Sequence, residues 1–271
     1  MSQAASPLTL HVVELLKSRL DGAPSPRMLE LALRDLAKWR SQVIANTLAA
    51  RGDPVLPQGP FAGMHYPVQA SEGAAAARIL GLYEASLAPV IEAIVARDYP
   101  LVIDVGCAEG YYAVGLARRM PAARVLARDL DPAARELCAA LAEANGVAGR
   151  VEVGGAFTHA DFALAEAQPT VVVCDIEGEE ERLLDPDLAP GLRQADILVE
   201  CHDCFSPGLS ARIAGRFAPS HHVQRIDRAV SDAALPGWME SLSDLDRLLA
   251  LWEWRAGPTP WLWMTRKAKA V

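Results

Sequence analysis

LVIDVGCAEGYYAVGLARR, Leu101 to Arg119, reads as a buried strand, a glycine turn and a helix whose free N-terminal amides face that turn. Leu101, Val102, Ile103 and Val105 form the apolar run, and Asp104 interrupts it near its end. Gly106 and Gly110 allow close backbone approach where a side chain would obstruct it; Ala108 stands between them, so the loop departs from a strict GxGxxG. Beyond the helix, Val125-Leu126-Ala127-Arg128-Asp129 is an apolar stretch ending in an acid about 20 residues past the turn, where a carboxylate in a strand-helix-strand unit can accept hydrogen bonds from both ribose hydroxyls. The loop and the acid together describe a pocket for a nucleoside-bearing ligand.

The 271 residues suffice for one substantial α/β domain with an added segment. With 26 Lys plus Arg against 34 Asp plus Glu, the net charge of -8 argues against a nucleic-acid partner. Cys107, Cys138, Cys174, Cys201 and Cys204 form an odd set without a disulfide spacing pattern, which fits a reducing compartment. No opening leader pattern and no apolar run long enough to span a bilayer are visible, so the expectation is a cytoplasmic protein with no membrane partner.

Residues 1 to 7 read as a loose end and 8 to 20 as a short helix. A longer helix follows, with Leu29, Leu33, Leu36, Trp39, Val43 and Leu48 as its apolar face and Arg34, Lys38 and Arg40 toward water. The stretch GPFAGMHYP, Gly59 to Pro67, is too broken for a regular element, and Ala74 to Ala96 returns to helix with Pro89 as a candidate kink. From Leu101 onward strand and helix alternate as in a doubly wound sheet. Strands are expected at 101–105, 125–129, 151–153, 170–174, 195–199, 222–227 and 261–264, and helices at 134–145, 209–217 and 244–254. The domain division is residues 1–97, a helical segment covering an acceptor site, mediating dimerisation or both, and residues 98–271, the ligand-binding domain.

The segments DVGCAEG, ARDLDP, VVVCDIEGEE and ILVECHD resemble the class I S-adenosylmethionine-dependent methyltransferases over residues 98 to 271. The resemblance implies a Rossmann-like, seven-stranded α/β sheet with its last strand antiparallel. DIEGEE and VECHD are similar to the FkbM-type branch, which is associated with O-methylation of sugars and other natural-product hydroxyls. Carried over, Asp104, Gly106, Cys107, Ala108 and Gly110 would shape the pocket for the methionine end of S-adenosylmethionine, and Asp129 would hold the ribose. Ala156 and Phe157 would sit near the adenine, with Phe157 either stacking on it or filling core.

Asp175, Glu200, His202 and Asp203 are the candidates for chemistry, because open α/β sheets bind ligands outside the carboxyl ends of their strands. Carboxylates with an imidazole suit a divalent ion, Mg2+ or Mn2+, which would lower the pKa of an acceptor hydroxyl. His202 is equally a candidate metal-free general base, with Asp175 beside it. Glu177, Glu179, Glu180 and Glu181 read as a solvated helix start, and Cys201-His202-Asp203-Cys204 offers a weaker zinc reading. His65 and Tyr66 are either a reach over the acceptor or loop anchors. Arg78 is a candidate contact for an acidic substrate, with an exposed helix residue as the leading reading. Three readings follow: O-methylation of a small polar acceptor, with or without metal; a metal-independent N-methyltransferase; and a methyltransferase-like binding or scaffold protein without turnover. The partners implied are a small-molecule acceptor and a second copy of the chain.

Overall fold

The computed structural model describes residues 5–67 and 73–268. Of the loose end expected at residues 1–7, residues 1–4 lie outside the described residues, while α1 (Pro7–Leu20) opens at once on Ser6, whose hydroxyl accepts from the Thr9 amide at 3.2 Å. Ser25 caps α2 (Pro26–Ala49) in the same way.

The chain then alternates. After α3 (Ala75–Ile79) and α4 (Ala88–Arg97) come β1 (Leu101–Val105), α5 (Tyr111–Arg119), β2 (Arg124–Arg128), α6 (Pro132–Ala144) and β3 (Val151–Gly154). The second half runs α7 (Leu164–Ala167), β4 (Thr170–Cys174), α8 (Glu180–Leu183), β5 (Asp196–Glu200), α9 (Leu209–Phe217), β6 (His221–Ile226), α10 (Asp244–Ala250) and β7 (Trp261–Arg266). The sheet order is β3-β2-β1-β4-β5-β7-β6. β7 lies antiparallel to both β5 and β6, and the pairings among β1 to β5 are parallel. The seven-stranded Rossmann-like sheet with an antiparallel last strand is therefore as expected.

Burial on both faces explains the near-continuous apolar strands. In β4, Val171 and Val173 enter one core with Val102 of β1, while Val172 and Cys174 enter the other with Leu101, Ile103 and Val105. That is the two-residue period of a strand read twice. Strand order reverses between β1 and β4, opening a crevice at their carboxyl ends, where the glycine loop and Asp175 emerge.

Three helical expectations need correction. On α2, Leu29 and Leu33 are 61% and 69% exposed, and the buried face is instead Ala32, Ser41, Ile44 and Ala45. The C-terminal half of α2, Leu48 of the expected stripe included, packs in a third apolar cluster with Leu80, Met239 and Leu249, while Leu29, Leu33 and Leu36 are exposed. The single helix over 74–96 is divided. Gly81 and Glu84 take left-handed backbone at φ 69° and 48°, and Pro89 sits in the first turn of α4, where its missing N–H costs nothing. The last helix stops at Ala250, and Trp254 is left-handed at φ 62°. Among the described residues no helix is long and apolar enough to cross a membrane.

Candidate active site

The turn after β1 is built by backbone contact. Gly106, at φ 82°, passes so close to β4 that a Cβ there would lie 1.6 Å from the Asp175 carbonyl oxygen. Gly110, at φ 94°, starts α5 against the Cys138 sulfur. Ala108 is also left-handed, at φ 46°, and its amide donates to Asp129 Oδ2 at 2.9 Å. Asp129 Oδ1 accepts from the Asp131 amide at 2.8 Å, so one carboxylate ties the β1 loop to the β2 exit.

A cleft of about 450 Å3 opens here, walled by Gly106, Asp129, Ala156, Phe157, Ile176 and Leu183. Phe157 packs into the core by an edge contact with Phe162, 4.9 Å between centroids, and another part of it lines the cleft. Leu130, 78% exposed at the rim, was missed by sequence reasoning, although an apolar residue directly after the acid is a legible signal for a cleft wall. Asp104 and Cys107 lie beneath the loop rather than on the cleft wall. Burial, followed by the nearby Asp175 charge, pushes Asp104 up to about 8, and its Oδ2 has no hydrogen-bond partner.

The exits of β4 and β5 bring Asp175, Glu200 and His202 together, with one ligand atom from each within 4.8 Å of the others. His202 Nε2 lies 3.3 Å from Glu177 Oε2, 3.7 Å from Asp175 Oδ1 and 4.0 Å from Glu200 Oε2. Its Nδ1 is 2.7 Å from Glu180 Oε1. Burial alone would lower the His202 pKa, but the Glu180 bond and the Asp175 charge outweigh it and raise it. Burial, then Glu84, pushes Asp175 up to about 7, and its Oδ1 is buried without a hydrogen-bond partner.

Glu180 corrects the reading of the acidic run. Glu179 and Glu181 do pair with surface arginines, Arg182 at 2.6 Å and Arg212 at 2.9 Å. Glu180 is fully buried because left-handed Glu177 and Gly178 turn the chain back, and the Gly178 amide donates to it at 3.0 Å. Asp203 does not join the cluster: its carboxylate accepts from the Ser210 amide and hydroxyl at 2.8 and 2.6 Å, securing the start of α9. The zinc reading is not met either, since Cys201 is buried in the core and the convergent ligand set contains no sulfur.

A second cavity, of about 210 Å3, lies on the far side of this cluster. Asp175 and Glu177 line both cavities. The second is completed by Arg34, Ala74, Arg78 and Tyr83 from the N-terminal segment and by Trp254 and Arg255. Arg78 is 3% exposed, not a surface residue, and lies 3.2 Å from Glu109. Arg255 is the hub of the wall, bridging Glu84, Glu200 and Glu253. His65 and Tyr66 are loop anchors. The His65 backbone exchanges hydrogen bonds with the Asn145 side chain at 2.9 and 2.7 Å, and the Tyr66 hydroxyl donates to Glu109.

Residues 102–195 match the family model described as a methyltransferase domain. The chain is 34% identical over 139 residues to the release factor glutamine methyltransferase of Cereibacter sphaeroides, covering 49% of this chain and 46% of that protein. It is 33% identical over 155 residues to the trans-aconitate 2-methyltransferase of Streptomyces coelicolor, covering 55% and 45%. The matches thus span somewhat under half the length of those curated relatives. Among solved structures, the O-methyltransferase TomG from Streptomyces achromogenes, in complex with SAM, is similar with a TM-score of 0.46 at 13% identity, covering 94% of this chain and 96% of that one. The chain thus holds a methyltransferase domain over residues 102–195 within its Rossmann-like seven-stranded sheet.

Proposed function

We propose that this protein is an S-adenosylmethionine-dependent methyltransferase acting on a small polar acceptor at a hydroxyl oxygen. The observation that carries the reading is the shared wall: one cleft with the features of a nucleoside site and one small polar cavity meet at Asp175 and Glu177, beside His202. Bound in the larger cleft, S-adenosylmethionine supplies a sulfonium-borne methyl whose bond to sulfur breaks as the acceptor oxygen takes it, leaving a neutral thioether and releasing the acceptor proton.

The chain's own residues divide the remaining work. Asp129 and the Ala108 amide hold the ribose end; Leu130, Ile176 and Phe157 give the adenine an apolar wall; the loop over Asp104 receives the methionine end. With Nδ1–H donated to Glu180, the His202 Nε2 lone pair faces the acceptor and can take its proton. The orphaned Asp175 Oδ1, Glu200 Oε2 and His202 Nε2 also fit a divalent ion, an oxygen-rich set with one imidazole suited to Mg2+ or Mn2+. Such an ion would supply a Lewis acid that lowers the pKa of the hydroxyl and orients it. The Glu180 bond is the partner that a ligating histidine ordinarily has on its other nitrogen.

The N-terminal segment serves as acceptor cover, supported by Arg34, Ala74, Arg78 and Tyr83 on the cavity wall. An FkbM-type acceptor is supported by the DIEGEE and VECHD segments alone, and both are used in the His202 cluster. Five free cysteines support a reducing, cytoplasmic setting.

Calorimetric titration of S-adenosylmethionine and its demethylated product, before and after chelation and with added Mg2+ or Mn2+, tests the reading. Binding of both is expected, with a metal-linked change if the Asp175 cluster takes an ion. No binding under any condition would overturn the methyltransferase reading. Cofactor binding with methyl transfer only to amines, unaffected by chelation, would replace it with the N-methyltransferase.

A further inference from the structure

We propose that the acceptor is a small hydroxy acid, bound with its hydroxyl at the Asp175 and His202 end of the smaller cavity and its oxyanion against Arg34. The proposal rests on the methyl-transfer reading and names the substrate class of that same site.

The charges around this cavity are sorted by place. Its inner end, toward the cofactor cleft, is rich in carboxylates, with Asp175, Glu177 and Glu200 gathered around His202. The cations near them are already engaged: Arg255 with Glu84, Glu200 and Glu253, Arg78 with Glu109, and His202 with Glu180. Arg34 differs. It lines the cavity from α2, and one guanidinium nitrogen donates to the Trp254 carbonyl at 3.3 Å. Among the described residues no carboxylate lies within ion-pair distance of it. Most of its five donors are therefore uncommitted to protein.

Lys38, one turn further along α2, lies outside the cavity lining, against the same Trp254. Its Nζ stands 4.8 Å from the centroid of the Trp254 ring, again with no carboxylate partner among the described residues. Asp35, between them in sequence, pairs with Arg19. Trp254 is fixed in this frame by its left-handed backbone and by its indole N–H, which donates to Ser41 at 3.3 Å.

An acceptor that meets both ends has a neutral hydroxyl and one oxyanion. The carboxylate-rich inner end repels the anionic group and the Arg34 rim attracts it, so charge sets the orientation that presents the hydroxyl to the methyl donor. The cavity, about 210 Å3 and partly open to solvent, suits a small molecule. A carboxylate and a phosphate monoester share the chemistry that Arg34 recognises.

Methyl transfer from radiolabelled S-adenosylmethionine to matched pairs tests this: lactate against lactamide, salicylate against salicylamide, and glycerol phosphate against glycerol. The expected result is an anionic member methylated with kcat/KM at least about tenfold above its neutral partner, with a base-stable ether as product. Which pair responds distinguishes carboxylate from phosphate. Arg34→Ala should raise KM for that acid about tenfold, collapse the preference over its partner toward unity and leave cofactor affinity by calorimetry unchanged, with Arg34→Lys restoring part of the preference. Equal use of charged and neutral members, an ester product, or cofactor binding with no anionic member methylated would overturn the hydroxy-acid proposal alone. Absence of cofactor binding would overturn the reading beneath it as well.

Discussion

Asp129 shows how much one side chain can be asked to do. Its two carboxylate oxygens accept from the Ala108 and Asp131 amides, so it braces the loop that it is expected to share with a ribose. Asp129→Ala should weaken S-adenosylmethionine binding by about 10- to 100-fold in calorimetry, the equivalent of hydrogen bonds to a charged group worth about 1.5–3 kcal/mol; unchanged affinity would remove the ribose contact. Glu180 acts one step further from the chemistry, as a positioning residue that fixes which nitrogen of His202 faces the cavity. Because the Glu180 bond and charge help raise the His202 pKa, Glu180→Gln should lower it, and the His202 ring resonances should follow in an NMR titration. A ring titration unmoved by the substitution would mean that the carboxylate does not govern His202.

At the scale of elements, the contrast within α2 is instructive. Ile44 is 5% exposed and packs with Leu80, Met239 and Leu249, while Leu33 is 69% exposed. Ile44→Ala should therefore destabilise the protein by about 2–4 kcal/mol in denaturant unfolding, and Leu33→Ala by no more than about 0.5 kcal/mol. Equal costs would mean that the leucine stripe is covered in solution. Periodicity identified this helix correctly and placed Leu48 on the packed side, but it misassigned Leu29, Leu33 and Leu36, because alanine and serine facing a close neighbour carry little hydrophobic signal. The break at Gly81 was likewise hidden, since Leu80, Tyr83, Leu87 and Val90 keep helical spacing across a turn that the Glu84 backbone completes.

For the whole molecule, the buried carboxylates set the response to pH. Asp104, held up to about 8 by burial and by Asp175, keeps a proton in the folded state that the unfolded chain releases near its ordinary value of 3.8. The native state thus binds more protons between those values, and stability falls as pH rises from 4 toward 8. Asp175 and Glu253, each pushed up to about 7 mainly by burial, act in the same sense. The expected loss is on the order of a few kcal/mol, seen as a melting temperature lower by about 5–10 °C at pH 8 than at pH 5. Asp104→Asn, a neutral isostere, should flatten that slope; a slope of the same size in the variant would assign it to other groups.

The sequence by itself determined the seven strands, the glycine loop, the acid after β2 and the exits of β4 and β5, because each is written in local patterns: apolar runs two-sided in burial, glycines at left-handed turns, acids at strand ends. It also placed Asp175, Glu200 and His202 in the right neighbourhood through the rule that ligands gather at the carboxyl ends of a doubly wound sheet. Only the tertiary structure decided which members of each acidic and cysteine-bearing run face inward. Glu180 turns to His202 while Glu179 and Glu181 turn to arginines; Asp203 turns to Ser210. It alone brought Arg34, Arg78 and Trp254 to the wall of the smaller cavity. Side-chain direction at a turn and contact between segments some two hundred residues apart depend on packing across the whole chain, and no local pattern encodes them.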